Sequence, residues 1–216
     1  MSRITNIDDE DDDYNQDILS YKIILLGDSG VGKTSLILRY CEGKFIEIGT
    51  STIGIDTKTK YVNYNDKKIE LEIWDTAGQE RFKSLAKNCL QGADGIFLIY
   101  DMTQKKTFID IKNWYTSIKE NIDITKVAII VIGNKSDLPD PVVKKDTCDK
   151  FCEQYNLQSI EASCKDNSNV GEAFNILIEK MIKLDNDYKQ QLKKRRSKVD
   201  NSTFADKNKT KKKCCH

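Results

Sequence analysis

The apolar run Tyr21 to Leu26, YKIILL, leads directly into Gly27 to Thr34, GDSGVGKT. This junction limits the possible folds more than any other feature of the chain. The eight residues fit G-x-x-x-x-G-K-[ST], a loop that does its work between a strand and a helix. Gly27, Gly30 and Gly32 allow backbone angles that a side chain forbids. Successive N–H groups can then curl around an anion. Lys33 offers a point charge to the β- and γ-phosphates of a nucleotide, and the Thr34 hydroxyl suits Mg²⁺. Thr34 to Tyr40 reads as the opening of a helix, whose N-terminus turns partial positive charge towards the same phosphates.

The rest of the pattern alternates strand and helix. Ile55 to Val62 and Lys68 to Trp74 read as a hairpin around 64–66. Gly95 to Tyr100 and Val127 to Ile132 are short apolar runs of the kind buried on both faces. Phe108, Ile111, Trp114, Tyr115 and Ile118 fall on one face of a helix over 105–120. A further helix over 144–155, a short strand over 159–162 and an amphipathic helix over 170–184 complete the order. The predicted fold class is α/β, a P-loop NTPase arrangement of six strands. The sheet is mostly parallel with one antiparallel edge strand, and helices lie on both faces. Ligands of such sheets sit at the carboxyl ends of the strands.

Two further motifs occupy such strand ends. Asp75 to Gln79, DTAGQ, follows ELEIW. Asp75 suits a Walker-B role, holding Mg²⁺ through water, and the Gly78 N–H can reach a γ-phosphate. The Gln79 amide can orient an attacking water, with Lys33 as its charge partner on the phosphate. Asn134 to Asp137, NKSD, follows VAIIVIG. The Asp137 carboxylate can accept two hydrogen bonds from the N1–H and exocyclic amine of guanine. Adenine has no such pair of donors, so a buried Asp137 would reject it by several kcal/mol. Asn134 would tie this loop to the phosphate loop, and the Lys135 stem would cover one face of the base.

Together GDSGVGKTS, STIGID, IWDTAGQERF, NKSD and Ser163-Cys164-Lys165 resemble the Ras superfamily of small GTPases, and within it the Rab family. The resemblance covers about residues 20–187 and the extreme C-terminus. It implies nucleotide contacts from Ser29, Gly30, Val31, Gly32, Lys33, Thr34 and Ser35 of the phosphate loop. It adds Phe45 packed edge-on against the guanine, Thr52 on Mg²⁺ and the γ-phosphate, and Gly78. Asn134, Lys135 and Asp137, with Ser163, Cys164 and Lys165 near the guanine carbonyl, complete the set. The implied metal ligands are Thr34, Thr52 and, via water, Asp75; the implied catalytic groups are Gln79 and Lys33. The family cycle implies GTP and GDP as ligands. It implies an exchange factor, a GTPase-activating protein, a GDP-dissociation inhibitor, a prenylation escort, and effectors that read two switch segments, about 45–57 and 75–90.

The chain departs from its family at one place. Rab proteins usually carry three aromatics bridging the switches, and here those positions are Thr57, Trp74 and Cys89. The usual Y-Y-R-G-A segment is Cys89-Leu90-Gln91-Gly92-Ala93. Two lost rings remove large, rigid contact area of the kind that anchors partners. A different effector set and compensated drift both account for this. A nucleotide-locked scaffold on the same fold, or another branch of the superfamily, stays open beside the trafficking reading.

The flanks are charged. Residues 8–13 read DDEDDD, 193–196 read KKRR and 211–213 read KKK, although the net charge of the 216-residue chain is only +1. Like-charge blocks usually stay disordered. The expected organisation is an acidic disordered arm over 1–18, a GTPase domain over 19–187 and a basic flexible tail over 188–216. The tail ends KKKCCH. Paired Cys214 and Cys215 resemble the double prenylation signal of Rab proteins. Two lipids give stable anchoring where one does not, and nearby lysines add attraction to an anionic leaflet. The implied location is the cytosolic face of an intracellular membrane, cycling with the cytosol. Nucleic acid is not an expected partner, because the basic tail lacks interleaved aromatics, and a monomer is expected. Seven cysteines with a single histidine at the last position fit neither a disulfide framework nor a zinc site. Cys148 and Cys152, one helical turn apart, read as small apolar or part-exposed helix residues rather than metal ligands, since no second ligand pair exists.

Overall fold

The computed structural model describes residues 4–6, 18–46, 54–65, 67–76 and 89–210, with backbone alone for 5–6 and 193–210. The expected sheet is present. Strand β2 (Leu19–Leu26) lies at its centre, parallel to β4 (Lys67–Thr76) on one side and to β5 (Gly95–Asp101) on the other. Beyond β5 come β6 (Ala128–Asn134) and β7 (Gln158–Glu161), also parallel. Beyond β4 comes β3 (Ile55–Tyr64), antiparallel, joined to β4 by a tight turn at Asn65, whose φ of 48° suits Asn. Chain order therefore reverses about β2, and the crevice at its carboxyl end is where an open α/β sheet receives a ligand.

Strand alternation sends side chains to two covered faces. Ile24, Leu98, Tyr100, Ile129 and Val131 share a cluster with α2 (Lys105–Asn121) and α3 (Lys145–Tyr155). On the other face Phe97 meets Phe174 edge to face, and Phe174 stacks on Tyr40 with ring centroids 3.6 Å apart. Tyr40 belongs to α1 (Lys33–Glu42) and Phe174 to α4 (Val170–Thr210). All seven residues of β5 and of β6 are buried, as their unbroken apolar runs require. The helical stripe of α2 is as expected: Ile111, Tyr115 and Ile118 are buried, with Phe108 and Trp114 packed against them.

Two boundaries need correction. The acidic sequence predicts an unstructured arm over 1–18, but Ile4–Asn6 forms a strand, β1, pairing antiparallel with Val62 to Tyr64. Ile4 and Thr5 are β-branched and meet the open edge of β3, so that strand is covered over its last turn-proximal residues. The reading also made 188–216 a flexible tail. Helical backbone continues instead from Val170 to Thr210. After Gly171 the sequence has neither Gly nor Pro, and its Lys, Gln, Leu and Arg are good helix formers. Among the described side chains of α4 the buried ones end with Met181, where the first compact unit of the chain also ends. Of the described residues, no helix is long and apolar enough to cross a membrane. The acidic run 8–13 and the terminal residues 211–216 lie outside the described residues.

Candidate nucleotide site

The phosphate loop is held open by close packing. Gly27 has φ 148°, and a Cβ there would lie 2.2 Å from the Ile99 carbonyl oxygen. Gly32, with φ 97°, ends the loop as the N-cap of α1; a Cβ would lie 2.2 Å from Asn134 Nδ2. Any side chain at Gly32 would meet both an unfavourable φ and an amide in contact. Lys33 is buried, and its ammonium donates to the carbonyls of Gly27 at 2.9 Å and Asp28 at 2.8 Å. Burial lowers its pKa to about 8, against the attraction of Asp75 and Asp28. A cation held in this way gains from any phosphate that replaces its lost hydration.

Thr34 and Asp75 arrive from different elements and meet. The Thr34 hydroxyl donates to Asp75 Oδ2 at 2.5 Å. Asp75 is buried at the end of β4, and Thr34 sits in the first turn of α1. A hydroxyl and a carboxylate side by side are hard oxygen donors of the kind Mg²⁺ takes together with waters and substrate phosphates. The donor set fits that ion.

The base-side loops are tied to the phosphate loop. Asn134, 1% exposed, donates from Nδ2 to the Val31 carbonyl at 2.8 Å, the tie expected from sequence. Its Oδ1 accepts the Cys164 backbone N–H at 3.4 Å. The buried Ser163 hydroxyl donates to Asp137 Oδ1 at 2.7 Å, which orients the carboxylate. Lys135, at φ 67°, sends its ammonium 2.6 Å from Oδ2 of Asp101, itself buried at the end of β5. Burial pushes the Asp101 carboxyl up, but hydrogen bonds from Lys135 and Thr103 outweigh it and hold the group below its usual range. With its head fixed, the Lys135 stem is positioned to form one wall of a base slot. Cys164 is buried, and its Sγ lies 3.3 Å from Asn134 Oδ1, the same oxygen that accepts its backbone N–H.

Three contributors were not legible as site residues. Arg39, on the last turn of α1, donates to the carbonyls of Cys164 at 2.7 Å and Lys165 at 3.0 Å. Trp114, read as one of a core stripe, donates its indole N–H to Asp28 Oδ1 at 3.0 Å. Burial raises the Asp28 pKa, and this hydrogen bond opposes the rise. Asp101 is the partner that fixes Lys135. No local sequence signal distinguishes these three, because each acts across 30 or more residues or from an unremarkable helix position. Phe45 is 38% exposed, with its ring 5.9 Å from the Arg39 guanidinium. Of the other sequence candidates, Thr52, Gly78, Gln79, Cys214 and Cys215 lie outside the described residues.

The departure at Thr57, Trp74 and Cys89 also has a structural setting. Thr57 stands directly across from Trp74 in the β3–β4 ladder. The Lys22 ammonium lies 3.8 Å from the centre of the Trp74 ring, a cation–π contact. The Trp74 indole N–H is buried with no hydrogen-bond acceptor among the described residues. Cys89 is buried.

Comparison with known proteins fits this geometry. The sequence pattern of the Ras family matches residues 22–183. "Ras-related protein Rab-13" of Mesocricetus auratus is 46% identical over 158 residues, covering 73% of this chain and 77% of the relative. "Ras-related protein Rab-8B" of Bos taurus is 45% identical over 155 residues, 71% and 74% of the two chains. "Ras-related protein SEC4" of Saccharomyces cerevisiae (strain ATCC 204508 / S288c) is 43% identical over 153 residues, 71% of each. The chain belongs to the Ras family and within it to the Rab small GTPases, which bind and hydrolyse GTP and serve vesicle traffic on intracellular membranes through regulators and effectors.

Proposed function

We propose that this Rab GTPase holds its nucleotide through the residues read from sequence, and that Asp137 selects guanine. The observation that carries the reading is the Asn134–Val31 hydrogen bond, which makes the base loop and the phosphate loop one construction. Ser29 to Ser35 supply backbone N–H groups and Lys33 to the phosphates. Ser163 keeps one oxygen of Asp137 occupied and aims the carboxylate, while Cys164 and Lys165 border the guanine carbonyl. Phe45 is the edge-on aromatic, and Lys135 covers a face of the base.

Thr34, Thr52 and, through water, Asp75 hold Mg²⁺, which neutralises charge on the β- and γ-phosphate oxygens when bound. Gln79 orients the attacking water, and the Gly78 N–H senses the γ-phosphate. Lys33, already dehydrated by burial, strengthens its attraction to charge developing on the phosphates. Among the described residues no arginine is placed to supply charge from within the chain: Arg39 is engaged with the carbonyls of Cys164 and Lys165. A GTPase-activating protein therefore supplies the remaining transition-state charge.

The partners proposed are that activator, an exchange factor, a GDP-dissociation inhibitor, a prenylation escort, and effectors that read the switch segments in the GTP state. Lipids on Cys214 and Cys215 anchor the protein to the cytosolic face of a membrane between periods in the cytosol. Single-turnover GTP hydrolysis tests the chemistry. Mg²⁺-dependent turnover that falls when Gln79 is changed to Leu is expected; turnover indifferent to both would contradict it. Mass spectrometry of the C-terminus from cells tests the anchor, and unmodified Cys214 and Cys215 would refute it.

A further inference from the structure

Helix α3 carries Cys148 and Cys152 one turn apart, both buried, with their sulfurs 3.9 Å apart. Neither takes part in the nucleotide site. Beside them opens a pocket of about 190 Å³, walled by Tyr100, Lys145, Ser159 and Glu161 and reaching Cys148 but not Cys152. The two thiols are therefore inequivalent in access. They are also inequivalent in chemistry. The hydrogen bond between the two sulfurs and the one from the Tyr100 hydroxyl favour the Cys148 thiolate and draw its pKa down, against its burial. The same hydrogen bond, together with burial, pushes Cys152 up and keeps it protonated. An accessible thiolate backed by a protonated thiol is the arrangement of an attacking and a resolving cysteine.

We propose that Cys148 and Cys152 form a peroxide-oxidisable dithiol, with Cys148 attacking from the pocket and Cys152 resolving the product. The Cys148 thiolate attacks one oxygen of a hydroperoxide. The S–O bond forms, the O–O bond breaks, and the departing oxygen takes a proton to leave as water or an alcohol. The Cys152 sulfur then gives up its proton and displaces hydroxide from that sulfenic acid, forming the S–S bond and releasing water. Two thiols lose two electrons and one peroxide gains them. The sulfurs must close from 3.9 Å to about 2.0 Å, the length of a disulfide. An intact helix holds Cβ atoms one turn apart about 5–6 Å from each other where a disulfide needs about 3.5–4.5 Å, so α3 must unwind locally as the bond forms. The site does not depend on which residues hold the nucleotide.

The protein carries its own controls. Cys164 is buried and its pKa is raised to about 11 by that burial, while Cys41 is half-buried. The test treats the full chain with hydrogen peroxide, alkylates the remaining thiols, and maps peptides cut by trypsin and by a glutamate-specific protease, since cleavage after Lys150 separates Cys148 from Cys152 and cleavage after Glu153 and Glu161 separates Cys152 from Cys164. The expected result is a linked pair of peptides joining Cys148 to Cys152. It should form at least about tenfold faster than Cys164 is lost and be reversed by dithiothreitol. Cys152→Ser should stop at a sulfenic acid on Cys148 that dimedone traps, and Cys148→Ser should leave Cys152 alkylatable. Loss of Cys148 no faster than Cys164 would overturn the proposal, as would oxidation of Cys152 at an unchanged rate in Cys148→Ser.

Discussion

The loops at the carboxyl ends of β2, β4, β6 and β7 and the outer surface of β3 and β4 lie in one sheet, yet they are built differently. In the first region, polar side chains of one segment are committed to partners in another: Asn134 to Val31, Thr34 to Asp75, Ser163 to Asp137, Arg39 to Cys164 and Lys165. In the second, Thr57 faces Trp74 across the ladder, Lys22 lies over the indole ring, and the indole N–H has no acceptor among the described residues. A ligand of fixed chemistry demands a fixed set of donors and acceptors, so the nucleotide loops follow the family pattern. The second region, which we propose reads protein partners, has no such fixed counterpart, and here two of the three aromatics usual in Rab proteins are replaced. The contrast teaches where this chain has room to differ from its relatives.

Four substitutions probe that contrast, in order of expected effect. Lys33→Met should produce the largest change, lowering GDP affinity by about 3 kcal/mol in a fluorescent-nucleotide titration. It should also remove a pH dependence. The folded-state pKa of Lys33 is depressed to about 8 from 10.5, so between these values the unfolded chain binds more protons than the folded one. Stability of the nucleotide-free protein therefore rises with pH across that window, by up to about 3 kcal/mol relative to Lys33→Met. Below pH 8 the ammonium is charged in both states and the burial penalty is in full. Bound phosphate favours the ammonium, so adding GDP should flatten the difference; chemical denaturation at a series of pH values measures it.

Asn134→Ala ranks next. It leaves the Val31 carbonyl and the Cys164 N–H without their shared partner, at a cost of about 2 kcal/mol, read as faster GDP release in stopped flow. Trp114→Phe keeps the ring in the α2 stripe but removes the donor to Asp28. Release should quicken by roughly fivefold, about 1 kcal/mol, with the fold unchanged by circular dichroism. Thr57→Phe should alter GDP release by less than about 0.5 kcal/mol while changing which proteins the GTP form captures. If Thr57→Phe disturbed release as much as Asn134→Ala, the two regions would not be separable.

Much of this was legible in the sequence for a physical reason. The central strands are unbroken apolar runs because both faces are covered, and the glycine loop admits few other contexts. Asn134 could be expected to tie the loops because a motif fixes both its chemistry and its place at a strand end. Other features depend on tertiary contact and left no local trace. Trp114 has the spacing of a core residue, and only the fold brings its N–H to Asp28, 86 positions away. The strand Ile4–Asn6 was hidden by the acidic run that follows it, and it exists because β3 offers an open edge. The helical course to Thr210 was masked by charge, although the absence of Gly and Pro after Gly171 was there to be read.

The most direct test of the account is base discrimination at Asp137. Competition of ATP and GTP for the protein, with Mg²⁺ present, should show a preference for GTP of at least about 10³-fold. Asp137→Asn should lose most of that preference while circular dichroism remains unchanged. Comparable displacement by ATP in the unsubstituted protein, or full guanine preference in Asp137→Asn, would contradict the assignment of Asp137 and with it the reading of this crevice as a guanine site.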